Sequence, residues 1–150
     1  MTEQATVQQD DKVLAGLAHG SILLAPLTNG VGGILTALVI WLVQKEKSAY
    51  VGGQALQALV YQAAVFVLTT AAWCCWGLLW MLMLLPPLFA NPEAYESAPP
   101  AGLWAGMVLI AIPLSFWVFT IVYGLYAAVR CLGGHDFKYI IIGNWLEGRS

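Results

Sequence analysis

Charge is what this sequence has least of. Charged residues make up 9% of the chain against 60% hydrophobic ones, whereas a soluble domain carries roughly 25% charged residues to face water. A water-facing surface cannot be built from that composition, and lipid is the remaining solvent for the apolar side chains. The six Lys and Arg residues are scattered and the net charge is −2, which gives no polybasic face for a nucleic acid. Residues 1–12 hold Glu3, Asp10 and Asp11 with only Lys12 as a base. A secretory leader has a basic start and an apolar core, so this polar segment reads as retained.

Paired cysteines are also missing. Cys74 and Cys75 are adjacent inside an apolar run and Cys131 stands alone, so the three read as small hydrophobes rather than as a disulfide or metal set. The glycine pairs 32–33, 52–53 and 133–134 have no lysine or strand context for a phosphate loop, and no serine-nucleophile or metal-protease motif occurs. No carboxylate or lysine falls inside an apolar run, and the one arginine, Arg130, stands at the very end of the last, although ion- and proton-coupled transporters usually place such groups at mid-span. Catalysis has no visible apparatus, and neither a cofactor nor a metal is expected.

The apolar runs themselves define the fold. Residues 13–43 carry no charge, yet one straight helix of that length would be about 46 Å long, against a hydrocarbon core of about 30 Å. The middle of the run holds Pro26, Thr28, Asn29, Gly30, Gly32 and Gly33, which is turn chemistry. Two short helices, 12–25 and 31–43, joined as a hairpin are therefore predicted. Two longer runs, 55–85 and 102–132, each suffice to span. The first ends at Pro86 and Pro87, and the second is kinked by Pro113, which has no N–H for the carbonyl of Leu109. Between them Asn91–Pro100 is a polar, proline-rich loop. In residues 135–150, Phe137, Ile140, Ile141 and Trp145 share helical spacing, which predicts a helix lying in the membrane interface.

The predicted class is thus all-α, a polytopic four-helix membrane bundle. Its parts are a polar segment 1–11, a transmembrane domain 12–134 and an interfacial segment 135–150. With four crossings, Lys12, Lys45, Lys47, Arg130, Lys138 and Arg149 all fall on one side, so both termini are expected in the cytoplasm of a bacterial inner membrane.

Few polar residues enter the bundle. His19 is the one group in a span that titrates near neutrality. A histidine can accept protons, ligate a pigment or haem, or sense pH. Without a companion carboxylate, a structural role is favoured, hydrogen-bonding to Gln54, Gln57 or Gln62. Gln54, Gln57 and Tyr61 follow helical spacing with Gln62 beside them. They form a polar face that either lines a vestibule or, as is commoner, supplies interhelical hydrogen bonds. Small residues four apart, Gly16 with Gly20, Gly33 with Ala37 and Gly102 with Gly106, allow close helix packing within the bundle or between copies. Trp73, Trp76 and Trp80 share one helical face. Anchoring at the interface explains such a face more simply than a pigment or quinone does.

The run from Trp41 and Leu42 through Lys45, Glu46 and Lys47 to Ala55, Leu56, Gln57 and Gln62 resembles a bacterial family of small membrane proteins of unknown function. That family is similar to the twenty-kilodalton Tic subunit of the chloroplast inner-envelope translocon. Ala18 and His19 upstream, and Gly134, Phe137, Tyr139, Ile142 and Gly143 downstream, extend the likeness. Ala49 and Ile140 depart from it where proline is usual, and Val60 where asparagine is usual. The resemblance implies a non-enzymatic four-helix protein that assembles with itself or with membrane-protein partners and forms part of a conduit. The alternative is an accessory subunit of an energy-transducing or pigment-binding complex.

Overall fold

A computed structural model of the chain describes residues 7–90, 92, 93, 99, 101–140 and 142. The fold is all-α. Helix α1 spans Gln9–Gly20 and continues as a 3-10 turn, Ser21–Leu24; α2 spans Val31–Gln44 and α3 Ala49–Ala90; α4, Ala101–Leu109, and α5, Ala111–Leu132, follow. Helices α4 and α5 are one long apolar segment broken at Ile110. The break lies just before Pro113, whose missing N–H leaves the carbonyl of Leu109 without its helical donor.

The expected hairpin is present, and its turn is built as its residues demand. Asn29 and Gly30 both take positive φ, at 49° and 89°, a conformation that costs little for these two residue types. Thr28 holds the turn on both sides. Its hydroxyl donates to Leu24 O at 2.7 Å and accepts from Gly32 N–H at 2.8 Å. At the other end Ser48 starts α3, its Oγ accepting from Val51 N–H at 3.3 Å while donating to Asp11 at 3.0 Å. That is an N-cap, tied back to the first turn of α1.

Two expectations need correction. Pro86 and Pro87 do not end the second apolar run: α3 continues through them to Ala90. Proline's fixed φ fits a helix, and its cost there is a lost donor and a ring crowded against the carbonyl four residues back. The Met83 carbonyl, one of those left without a helical partner, lies against Gly102. Residues 135–140 are not helical. Phe137 and Tyr139 are buried while Lys138 and Ile140 are exposed, a period of two that belongs to an extended chain rather than to a helix. Ile141, Trp145 and the rest of 143–150 lie outside the described residues, as does most of the loop 91–100.

The chain forms two compact units. The first comprises residues 1–66 and 120–150, the second 67–119. The core of the first is made largely of small residues, with Ala15, Ala18, Ala37, Ala55, Ala58, Ala127 and Cys131 buried around Ile22 and Tyr61. Small side chains let helix backbones approach closely, which replaces the hydrophobic drive that lipid removes. Gly33 shows how tight the approach is. A Cβ there would overlap the Gln62 amide oxygen and stand 2.8 Å from the Ser21 carbonyl. In the second unit a Cβ on Gly106 would overlap the Trp80 indole.

Outward, the long helices are apolar and bare. No residue in the most hydrophobic window of α3 is buried, and only 17% of that in the α4–α5 segment. Val67, Leu78, Leu82, Val108 and Phe119 are all more than half exposed. A monomeric soluble protein does not display a continuous apolar surface of that extent. Two helices long enough to span, both unburied, make this a membrane protein.

Candidate functional site

In the first unit the polar residues of the bundle converge. His19, held on α1 beside buried Ala15 and Ala18, is 1% exposed. Its Nε2 lies 3.0 Å from Gln54 Oε1 and its Nδ1 lies 3.0 Å from the Tyr139 hydroxyl. Gln54 Nε2 donates to an Asp136 carboxylate oxygen and, at 3.1 Å, to the Phe137 carbonyl. Both of those acceptors lack hydrogens, so the orientation of the Gln54 amide is fixed. Its oxygen must then accept, which makes His19 the Nε2–H tautomer and leaves Nδ1 to accept from Tyr139 O–H. The Cys131 thiol donates to the same Gln54 oxygen at 3.2 Å.

The result is a directed chain. Tyr139 donates to His19, His19 to Gln54, and Gln54 to the Asp136 carboxylate at its surface end. Each link polarises the next. Burial pushes the Tyr139 hydroxyl well above its ordinary range, so it stays a donor at any physiological pH. Tyr61 stacks on the Tyr139 ring at 4.1 Å and 10° and donates to Thr120 O at 2.7 Å. Gln57 accepts from the backbone N–H of Tyr139 at 3.3 Å.

Gln62 serves a separate cluster. Its amide nitrogen donates to Ala18 O at 3.0 Å and to Ser21 Oγ at 3.1 Å, and Ser21 donates to Ala18 O and Gly33 O. This set binds α1, α2 and α3 where the hairpin is closest. The five residues singled out in the sequence therefore divide: His19, Gln54, Gln57 and Tyr61 surround the segment 135–139, and Gln62 clamps the hairpin. Sequence reasoning missed Asp136, Tyr139 and Cys131. The alternation of Phe137 and Tyr139 was the available signal for the extended segment, and Cys131 gave none beyond its apolar neighbours.

Chemically the arrangement is closed. His19 and Gln54 are fully buried and their polar atoms are partnered within the chain, so no ring nitrogen is presented to a ligand. Among the described residues no group of three His, Cys, Asp or Glu side chains is placed to hold a metal ion. The network fastens the segment after α5 onto α1 and α3.

The profile of a known family, that of the magnetosome magnetite crystal formation proteins (MamF_MmsF), matches residues 10–146. The chain belongs to that family. The match runs from the first turn of α1 past Tyr139, so the second unit, most of the first and the whole His19 network lie inside it. No curated protein and no solved structure matches the chain. The family assignment agrees with the small bacterial membrane protein read from the sequence and gives no support to kinship with the chloroplast translocon subunit.

Proposed function

We propose that this protein takes part in magnetite crystal formation as a non-enzymatic component of the magnetosome membrane, acting by assembly with copies of itself or with other membrane proteins. The observation that carries the reading is the family match over residues 10–146, joined to apolar helices that need a bilayer. The polar network supports a structural rather than a chemical role. Gln54, Gln57, Tyr61 and Gln62 each bond to a partner inside the chain. In this reading the chain crosses four times, with both termini on the cytoplasmic side where the basic residues gather.

The test is genetic. In a magnetite-forming host, deleting the gene should change crystal size or number in electron micrographs, and the wild-type gene should restore them. A tagged copy should fractionate with the magnetosomes. Unaltered crystals after deletion, or a tagged protein confined to other membranes, would overturn the reading.

A further inference from the structure

The second unit contains a cavity that the proposed role leaves without a purpose. Its volume is about 220 Å³, and its walls include Ala72, Trp76, Trp80, Met83, Ile112 and Pro113 from α3 and α5. An apolar cavity of 150 Å³ in another protein suffices to bind benzene, so this one holds a larger group. The wall is almost wholly apolar, and one of its residues, Trp80, turns its polar atom away from the space and against Gly106. The indole N–H of Trp80 is buried and has no hydrogen-bond partner among the described residues. Its neighbour Trp76, one turn earlier, has found an acceptor, donating to Gly106 O at 3.0 Å. A buried N–H without an acceptor is rare and costly, all the more where lipid excludes water.

The position along α3 narrows the occupant. Trp80 lies about 9 Å before Pro86 along the helix axis, toward the end of α3 at Ala90 and the exposed Pro92 and Glu93. That is the depth at which tryptophans collect in membrane proteins, where the hydrocarbon gives way to the ester groups of phospholipids. We propose that the cavity is a binding site for one membrane phospholipid. An acyl chain fills the space beside Ala72 and Ile112, and an ester carbonyl of that lipid accepts from Trp80 Nε1 after a small turn of the ring toward the cavity. The Gly106 backbone leaves room for the indole that forms this wall, since any side chain there would overlap it. The proposal is independent of a role in crystal formation and stands whether or not that role holds.

The experiment uses the full chain reconstituted with phosphatidylethanolamine and phosphatidylglycerol, re-extracted in mild detergent, washed, and weighed by native mass spectrometry. The wild type should keep one phospholipid per chain. Trp80→Phe keeps an aromatic ring in the wall, though a smaller one, and removes the donor, and should lower retention about fivefold, the worth of one hydrogen bond. Ala72→Leu occupies the acyl space and should release the lipid. Trp73→Phe, outside the cavity wall, should retain it. Helical circular dichroism of each variant in the same detergent separates loss of lipid from loss of fold; if Ala72→Leu unfolds, Trp80→Phe decides alone. Wild-type protein that emerges bare, Trp80→Phe that keeps its lipid fully, or an isoprenoid quinone extracted from native membranes in place of phospholipid would overturn the proposal.

Discussion

His19 has both ring nitrogens committed and almost no exposed surface, so its removal is felt at once. His19→Ala orphans the Tyr139 hydroxyl and leaves a ring-sized void. Truncations of this kind cost about 2–5 kcal/mol, and the thermal midpoint in detergent should fall accordingly. An unchanged midpoint would mean that the network contributes nothing to stability. Gly33→Val tests the hairpin clamp. Its side chain would displace the Gln62 amide and press on the Ser21 carbonyl, an overpacking worth about 1–3 kcal/mol. Tyr139 supplies the pH dependence. Its hydroxyl is raised by burial, while in the unfolded chain it ionises near pH 10. Its contribution to stability is therefore whole below pH 10 and declines as the pH rises further. Tyr139→Phe should flatten part of that alkaline loss in a pH series of melting curves. At this scale the sequence was half legible. A histidine and glutamines in an apolar setting must find partners, but which glutamine meets His19, and that a thiol and a carboxylate join them, depends on where the chain folds after α5.

Among the elements, the segment after α5 departs furthest from its periodicity. Phe137, Ile140, Ile141 and Trp145 fit a helix stripe as well as Phe137 and Tyr139 fit a strand-like alternation, and local pattern alone cannot choose between them. Tertiary partners choose: Gln54 and Gln57 bind the backbone at Phe137 and Tyr139, and those backbone groups are free only if the segment is not helical. The Pro86–Pro87 pair misleads for a related reason, because proline removes a donor without forbidding helical φ. The hairpin, by contrast, was fully legible, since Asn29 and Gly30 are residues that a tight reversal selects. Truncation after Gly134 tests the fastening at this scale. It removes Asp136, Phe137 and Tyr139 together, exposing His19 and Tyr61. The shortened chain should melt lower than His19→Ala does, and amide hydrogens around Ala15–His19 should exchange faster by mass spectrometry. Equal melting of the truncated and intact chains would show that residues 135–150 do not hold α1 in place.

For the molecule as a whole, what decides the environment is surface rather than core. Alanine is the commonest buried residue of the first unit, and alanine side chains bury little apolar area with which to hold a domain together in water. The large apolar side chains point outward instead. That inversion needs lipid around it, and the side on which the bases lie then sets the orientation. Single cysteines test this directly in a chain carrying Cys74→Ala, Cys75→Ala and Cys131→Ser, the last keeping a donor for Gln54. Asp10→Cys, Lys45→Cys and Glu93→Cys replace exposed residues. With the chain expressed in the inner membrane of a bacterium that forms no magnetosomes, an impermeant maleimide added to intact cells should label Glu93→Cys alone. After the membrane is opened, Asp10→Cys and Lys45→Cys should both react. If Asp10→Cys labels together with Glu93→Cys, residues 13–43 cross only once and the hairpin does not return. If Lys45→Cys and Glu93→Cys label from one side, α3 does not cross at all. Only the split of Glu93 from the other two agrees with a hairpin whose arms both enter the bilayer and with termini that share the basic side.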